Sequence, residues 1–310
     1  MAKKVLSVVI PCYNEEDAIL MFYQAINNTS NKMDNLDFEF LFVDDGSVDN
    51  TLSIIKKLHK KDERVKYISF SRNFGKEAAM YAGLKESIGD YITVMDSDLQ
   101  DPPSLLLEMY RLISLEGYDI VATKRVTRVG EPKIRSYFAR KFYKIINKMT
   151  DKIVIEDGAR DFRLMTRQVV DSILEMKEYN RFSKGLFSFV GFKTKYLEYE
   201  NIKRIAGKTK WSFKSLFKYA IDGIIAFTTI PLKWPIYFGI IFILISLIMF
   251  IIMLFKLFSV STLYSLITLI LFMFGLLFIF VGNLGLYLAK DYLENKKRPI
   301  YIVKERDGDI

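Results

Sequence analysis

Short apolar runs alternate with helical patterns along the N-terminal part of the chain. Three apolar runs each precede an acidic, turn-forming segment, and they lie at residues 5–10, 38–43 and 91–95. Runs of this length are typical of strands that are covered on both faces of a sheet. Helical patterns fill the intervals at residues 15–26, 51–59 and 76–87. The alternation predicts an α/β domain with a mostly parallel sheet, which a further strand at residues 118–122 would extend.

The C-terminal part of the chain is far more apolar. Residues 236–255 form 20 consecutive uncharged positions and residues 257–289 another 33, with only Lys256 between them. Since about 20 apolar residues suffice to cross a bilayer core, the pattern predicts two transmembrane helices. Residues 211–230 place apolar side chains on one helical stripe, which predicts an interfacial helix just before these spans. Residues 124–148 show a similar stripe, which fits either an ordinary surface helix or a membrane-surface helix.

These patterns divide the chain into four predicted parts. An α/β domain occupies residues 1–210, an amphipathic juxtamembrane helix 211–232, a transmembrane hairpin 233–289 and a basic tail 290–310. The basic start of the chain looks like that of a signal peptide, but Pro11 and the acids after it limit the apolar run to one strand. We therefore expect the N-terminus to remain in the cytoplasm.

Positive charge is concentrated beside the predicted spans. The chain carries 45 Lys and Arg against 36 Asp and Glu, and seven of these cations lie between residues 203 and 233. Because cationic flanks stay on the cytoplasmic side, both ends of the hairpin are expected there, against anionic lipid. A net charge of +9 also fits nucleic-acid binding, but the clustering beside the spans opposes that reading. Two spans give a small membrane footprint, which leaves room for homo-oligomerisation.

Few residue types are available for chemistry. Cys12 is the only cysteine and His59 the only histidine. These counts exclude an intrachain disulfide, a cysteine-based metal site, a histidine-rich metal site and a histidine-dependent triad. Catalysis must therefore depend on carboxylates, phosphates and cations.

Acidic residues follow two of the predicted strands. Asp44 and Asp45 end one strand, and Asp96 and Asp98 end another. In parallel α/β sheets, ligands bind beyond these carboxyl ends. Two carboxylates separated by one residue can hold Mg²⁺ or Mn²⁺ between their oxygens and a diphosphate. A polar segment after the first strand can line a base pocket, and it consists of Pro11, Cys12, Tyr13, Asn14 and Glu15.

Six segments, in their order along the chain, resemble a known family. They are VVIPCYNEE, FLFVDDGSVDNT, SRNFGKEAAMYAGL, VMDSDLQDPP, GARDFRLM and RIAGKTKWSF. Ahead of two apolar spans, this set resembles the polyprenyl-phosphate glycosyltransferases of family 2, such as bactoprenol glucosyltransferases and dolichol-phosphate mannose synthases. The resemblance covers nearly the whole chain. It implies a GT-A fold and transfer of a sugar from a nucleotide-sugar to polyprenyl (undecaprenyl) phosphate at a bacterial plasma membrane.

The resemblance also implies roles for individual residues. Asp44 is expected to contact the donor base, Asp96 and Asp98 to bind the metal and the sugar diphosphate, and Gln100 to support them. Asp161 is expected at the reaction centre, between donor and acceptor. Further donor-site residues are Pro11, Tyr13, Asn14, Glu15, Asp45, Lys76 and Ser97. The cations expected to face the acceptor phosphate or the donor diphosphate are Arg125, Arg135, Arg204 and Lys210. The residues expected to be catalytic are Asp98, Asp161, Arg204 and Lys210.

Alternatives stay open at several of these positions. Asp161 could instead be a structural acid paired with Arg160 or Arg163. Arg204 and Lys210 could be juxtamembrane charges attracted to anionic lipid. The segment SRNFGKEAAM has the glucosyltransferase-like form, which favours a UDP-sugar over GDP-mannose as donor.

Two other functions compete with lipid glycosylation. A processive polysaccharide synthase shares the GT-A domain but has more spans and a Q-x-x-R-W motif, which this sequence lacks. A catalytically inactive membrane adaptor for a flippase or a second transferase would have lost the acids of the site. The sequence retains all four of them, at Asp44, Asp96, Asp98 and Asp161.

Overall fold

A computed structural model gives the structure of the chain. It describes residues 3–126, 155–179, 181–200 and 262–308, and the single positions 144, 147, 148, 221, 234, 237, 238, 241 and 244. The chain forms two compact units, one of Met1–Ala220 with Pro299–Ile310 and the other of Ile221–Arg298. The interfacial helix predicted at 211–230, the first predicted span and the stripe at 124–148 lie outside the described residues except for a few single positions.

One sheet of eight strands organises the first unit. The strands are β1 (Lys4–Cys12), β2 (Leu36–Asp44), β3 (Val65–Phe70), β4 (Tyr91–Val94), β5 (Ile120–Arg125), β6 (Ala159–Thr166), β7 (Thr194–Tyr199) and β8 (Val303–Arg306). Their order across the sheet is β7-β5-β6-β4-β1-β2-β3-β8. The pairs β1–β2, β1–β4, β2–β3 and β5–β7 are parallel. Antiparallel pairing is confined to β6 and β8, so the predicted mostly parallel α/β sheet is confirmed.

Helices cover both faces of this sheet. In the described residues of the first unit they are α1 (Ile19–Ser30), α2 (Thr51–His59), α3 (Lys76–Glu86), α4 (Leu105–Glu116), α5 (Arg167–Glu175) and α6 (Ser183–Phe189). Alternate residues of β1 point to opposite cores: Val8 packs in a cluster with Phe22 of α1, and Val9 in a cluster with Met80 of α3. Because both faces are buried, the strand carries no polar alternation, which explains its continuous apolar run.

The structure corrects the predicted start of the first helix. The sequence placed it at Glu15, but α1 begins at Ile19. Asn14 has a left-handed φ of 50°, and the Glu15 N–H donates to Thr51 Oγ1 at 2.8 Å. The backbone at Asn14 and Glu15 therefore forms a turn, and the helix begins only after it.

Four strands were not predicted from the sequence: β3, β6, β7 and β8. They mix charged and apolar residues, so none of them shows the continuous apolar run of β1 or β2. Strand β8 lies within residues 290–310, which were predicted to form a basic tail. Instead, Val303–Arg306 pairs with the outer edge of β3.

The second unit contains a long apolar helix, α7 (Thr262–Asn295). Its segment Phe272–Asn295, 24 residues long, is apolar enough to cross a membrane by length and composition. At 1.5 Å per residue it extends about 36 Å, against a hydrocarbon thickness of about 30 Å. It overlaps the second predicted span, and within the described ranges it is the one helix that meets this criterion. Two spans are therefore not confirmed.

Gly83 brings α3 against the sheet. A Cβ atom at this position would come within 2.1 Å of Val9 Cγ1 and 3.2 Å of Val43 Cγ2. We predict that Gly83→Ala lowers the free energy of unfolding by about 1–3 kcal/mol, because the added methyl forces α3 away from β1 and β2. Thermal unfolding of the detergent-solubilised chain measures this. Lys85→Ala, an exposed change on the same helix, is the control, and equal stability of the two variants would contradict the prediction.

Candidate active site

Two strand ends bring Asp96 and Asp161 together. β4 and β6 are antiparallel, with Val94 opposite Arg163. Continuing this register by two residues places Asp96 opposite Asp161. The two carboxylates are distant in sequence and adjacent in the sheet.

Lys76 at the first turn of α3 links these two carboxylates. Its Nζ lies 2.7 Å from Asp96 Oδ1 and 2.7 Å from Asp161 Oδ2. Burial alone would raise the pKa of Asp161, but the nearby charges of Lys76 and then Lys184 hold that pKa well below its usual range. Burial likewise would lower the pKa of Lys76, and the charges of Asp161 and Asp96 raise it above its usual value. The three side chains therefore form an ionised cluster with one cation between two anions.

Asp45 fixes the backbone that leads into Lys76. Its two oxygens accept hydrogen bonds from the Phe74 and Gly75 N–H groups, at 2.6 and 2.9 Å. Gly75 has a φ of 98°, a conformation that side-chain-bearing residues rarely adopt, and α3 begins directly after it. Burial raises the pKa of Asp45 to about 6, although the two N–H groups oppose the shift. Asp45 thus holds the loop that presents Lys76, and its predicted contact with the donor stays a prediction.

The remaining residues of the D-x-D motif lie directly beyond β4. Asp98 is 8% exposed and its Oδ1 accepts a hydrogen bond from the Gln100 N–H at 3.1 Å, while Ser97 is buried. Leu99, between Asp98 and Gln100, has a left-handed φ of 55°, which closes this turn. Gln100 therefore contacts the motif through its backbone N–H, and its support of a metal stays a prediction.

This donor set fits a divalent cation. Asp96 and Asp98 offer hard carboxylate oxygens, and Mg²⁺ is commonly held by one or two carboxylates together with substrate phosphates. Among the described residues no group of three or more His, Cys, Asp or Glu forms a complete metal site. Asp96 and Asp98 match the carboxylate part of such a site.

A second buried cluster lies next to Asp161 in β6, and it was not predicted from the sequence. Asp101 is 2% exposed, and it accepts hydrogen bonds from Arg160 Nε at 3.1 Å and from the Tyr199 hydroxyl. Arg160 thus pairs with Asp101 and not with Asp161. The alternative in which Arg160 is the ion-pair partner of Asp161 is therefore wrong. The only sequence signal was an acid before Pro102 and Pro103, which reads as an ordinary turn. The cluster ties the D-x-D turn to β6 and β7.

Arg163 lies two residues after Asp161 in β6, so the two side chains share one face of the strand. It is 5% exposed, its guanidinium carbon lies 3.6 Å from the centre of the Phe187 ring, and its Nη2 donates to the Arg160 carbonyl. Burial lowers the pKa of Arg163 to about 10, partly opposed by the charge of Asp161. Arg163 is therefore a buried cation near Asp161 without a direct ion pair to it.

A pocket of about 420 Å³ lies at the carboxyl ends of β2 and β3. Its lining residues include Tyr13, Gly46, Ser47, Val48, Ser69, Arg72, Asn73 and Lys304. Asp44 lies behind this wall, 1% exposed, and its oxygens accept from the Ser47 N–H at 3.1 Å and Ser69 Oγ at 2.7 Å. Asp44 therefore shapes the pocket wall, and its predicted contact with the donor base stays a prediction.

The first-strand residues approach the same pocket. Pro11 is in β1, and Tyr13 lines the pocket directly. Asn14 Oδ1 accepts from the Val48 N–H at 2.9 Å, and Glu15 donates from its backbone to Thr51. Asn14 and Glu15 thus join the β1 turn to the turn after β2.

The predicted cations are only partly placed by the structure. Arg125 ends β5, and its N–H donates to the Gly158 carbonyl at 3.1 Å. Burial and Asp101 raise the pKa of the Tyr199 hydroxyl, and the positive charge of Arg125 opposes this shift. Arg125 therefore lies near the Asp101 cluster. Arg135, Arg204 and Lys210 lie outside the described residues.

Known proteins share this sequence pattern. The chain matches Glycosyl transferase family 2 over residues 7–174, the range that carries all four acids. It is 42% identical over 310 residues to the uncharacterized glycosyltransferase YkcC of Bacillus subtilis (strain 168), covering 97% of this chain and 94% of that one. It is 38% identical over 308 residues to the bactoprenol glucosyl transferase of Shigella phage SfX, covering 97% and 99%. Mannosyl-3-phosphoglycerate synthase from Rubrobacter xylanophilus, a solved structure, aligns with a TM-score of 0.48 and 17% identity over 71% of each chain.

The raised pKa of Asp45 predicts a pH effect on stability. Between its usual value of 3.8 and about 6, the folded chain binds a proton that the unfolded chain has released. The free energy of unfolding that Asp45 contributes therefore falls as pH rises through this window. We expect Asp45→Asn to remove this fall, so that the variant gains stability over wild type between pH 4 and pH 6 and the difference is constant above.

Thermal unfolding across this range tests the effect of Asp45. Asp17→Asn, at an exposed position before α1, controls for the loss of one carboxylate. A difference between Asp45→Asn and wild type that stays constant over the whole range would contradict the assignment.

Proposed function

Since the chain belongs to glycosyltransferase family 2 and is a glycosyltransferase, we propose that it transfers a sugar from a UDP-sugar to undecaprenyl phosphate. UDP-glucose, or a related UDP-hexose, is the proposed donor, and the anomeric configuration is inverted. The observation that carries this proposal is the Asp96–Lys76–Asp161 cluster at the strand ends, in which Asp96 is the first acid of the D-x-D motif. Relatives named bactoprenol glucosyl transferase supply the acceptor class and the sugar.

The donor would lie along the carboxyl edge of the sheet. The pocket after β2 and β3 has the size and polarity for a nucleoside, and the acids after β4 suit a diphosphate. Asp96 and Asp98 would hold Mg²⁺ or Mn²⁺ there, which when bound supplies positive charge to the departing diphosphate. The order of groups in a nucleotide-sugar then puts the anomeric carbon near Asp161.

The acceptor phosphate needs little activation. A phosphate monoester has a second pKa of about 6, so the lipid phosphate is largely dianionic at neutral pH. One of its oxygens attacks the anomeric carbon, and the bond from that carbon to the nucleotide diphosphate breaks with the electron pair leaving on the diphosphate. A carboxylate beside a dianion is repulsive unless a cation compensates it, and Lys76 provides that cation for Asp161. Arg125, Arg135, Arg204 and Lys210 are the further cations proposed to attract the lipid phosphate.

Membrane attachment places the enzyme beside its lipid acceptor. Segment Phe272–Asn295 is a candidate span, and residues 236–255 are proposed as its partner in a hairpin. Both ends then face the cytoplasm, where the cations between 203 and 233 meet anionic lipid. A two-span anchor is compatible with a homo-oligomer in the plasma membrane.

Transfer to a lipid tests the proposal directly. The purified chain is incubated with undecaprenyl phosphate, Mg²⁺ or Mn²⁺ and labelled UDP- or GDP-sugars, and labelled lipid is measured. We expect a UDP-hexose to label the lipid, and Asp98→Asn to abolish transfer, because a neutral amide cannot replace the charge of a metal ligand. Asp171→Asn, on the exposed side of α5, is the matched control.

The assay separates the competing functions. Labelled lipid from no donor would favour an inactive adaptor, and a long polymer without labelled lipid would favour a processive synthase. If Asp98→Asn kept transfer within about threefold of wild type, a difference under ~0.7 kcal/mol, Asp98 would not be a metal ligand.

Asp161 is expected to position reactants rather than remove a proton. A carboxylate whose pKa lies well below its usual range is a weak base, and the acceptor is already ionised. Asp161→Asn keeps the shape but loses the charge that orients Lys76, so the transfer rate should fall by a similar factor at every pH from about 6 to about 9. Initial rates over this range measure the effect. A loss that shrinks steadily with rising pH, until the wild-type rate returns, would identify Asp161 as a general base instead.

A further inference from the structure

The C-terminal strand forms part of the wall of the nucleoside pocket. β8 pairs antiparallel with β3, and the Ser71 N–H donates to the Ile302 carbonyl at 3.0 Å. The rings of Phe70 and Tyr301 stack with their centres 4.9 Å apart. Phe70 and Ser71 both line the pocket, so the strand supports that wall from behind.

Ion pairs fasten β8 to the elements around it. Lys56 of α2 lies 2.6 Å from Glu305, and Arg306 lies 3.5 Å from Glu86 of α3. Just past the strand, the Asp307 N–H donates to the Tyr67 carbonyl at 3.1 Å. The segment after α7 in the chain is therefore a specific component of the sheet.

A bulge in this pairing falls at Lys304. Glu305 is opposite Ser69 and Val303 is opposite Phe70, so Lys304 is the additional residue between them. A bulge turns a side chain away from the regular alternation, and bulges occur often next to active sites. Lys304 is also the one residue of β8 that lines the pocket.

We propose that Lys304 binds the base of the nucleotide donor, so that the C-terminal strand completes the donor pocket. This inference rests on the proposed function, since it assumes a nucleoside diphosphate in the pocket. The sheet order supports the base over the diphosphate. β8 lies four strands away from β4, about 19 Å at about 4.8 Å per strand, which is far from Asp96 and Asp98. A lysine ammonium only donates hydrogen bonds, and the carbonyl oxygens of uracil only accept them.

Nucleotide binding by the full chain in detergent tests this role. Calorimetric titration with UDP, GDP and inorganic pyrophosphate compares wild type with Lys304→Ala. We expect Lys304→Ala to weaken UDP binding about five-fold, because one charge-assisted hydrogen bond is lost, and to leave pyrophosphate binding unchanged. Lys85→Ala, which removes an exposed cation on α3 outside the pocket lining, should bind UDP as wild type does.

Two variants at Tyr301 test whether the C-terminal segment supports the pocket wall. Tyr301→Ala removes the ring stacked on Phe70 and should weaken UDP binding, whereas Tyr301→Phe keeps the ring and should not. Hydrogen exchange provides a readout that stability alone would not move: amides of residues 301–307 should exchange more slowly when UDP is added to wild type, and less so in Lys304→Ala.

The outcomes distinguish this inference from the proposed function. If wild type bound neither UDP nor GDP, the proposed function and this inference would both fall. If wild type bound UDP and Lys304→Ala bound it equally well, only the role of Lys304 would be wrong. Equal weakening of UDP and pyrophosphate by Lys304→Ala would place the lysine at the diphosphate and would also overturn the assignment to the base.

Discussion

The candidate site depends on one cation between two carboxylates. Asp96 and Asp161 face each other on neighbouring antiparallel strands, and two unscreened negative charges there would repel each other and any phosphate that approached. Lys76 contacts both carboxylates, and its positive charge offsets their mutual repulsion. Much of the surrounding structure serves to place this amine. Gly83 lets α3 lie close on the sheet, and Asp45 holds the loop from which Lys76 projects.

The sheet separates the parts of the site by fixed distances. Strand spacing of about 4.8 Å sets the pocket after β2 and β3 apart from the acids after β4 by two to three strands, or about 10–14 Å. An extended nucleotide-sugar can therefore place its base and its diphosphate at different strand ends. The buried Asp101–Arg160–Tyr199 cluster joins β6 and β7 to the D-x-D turn, so Asp161 of β6 is held in the same frame as that turn.

Sequence alone determined the architecture where burial imposes a simple pattern. The strands β1, β2 and β4 are covered on both faces, so they read as continuous apolar runs, and the acids that follow them fall at one edge of the sheet. The helices α2 and α3 were placed to within a residue. The strands β3, β6, β7 and β8 mix polar and apolar residues, and no local pattern distinguishes them from loops. The ordered motifs fixed the family because six segments in one order are far more specific than any one of them.

Only the tertiary structure decided which acids and cations meet. The sequence assigned Asp45 to the donor site, and only the structure shows that its oxygens accept hydrogen bonds from the Phe74 and Gly75 N–H groups. It offered Arg160 as a partner for Asp161, whereas Arg160 pairs with Asp101. Lys76 and Asp161 are 85 residues apart, and Lys304 reaches a pocket built mostly from residues 13–73. Such contacts depend on strand order and register, which arise from long-range packing and leave no trace in local periodicity.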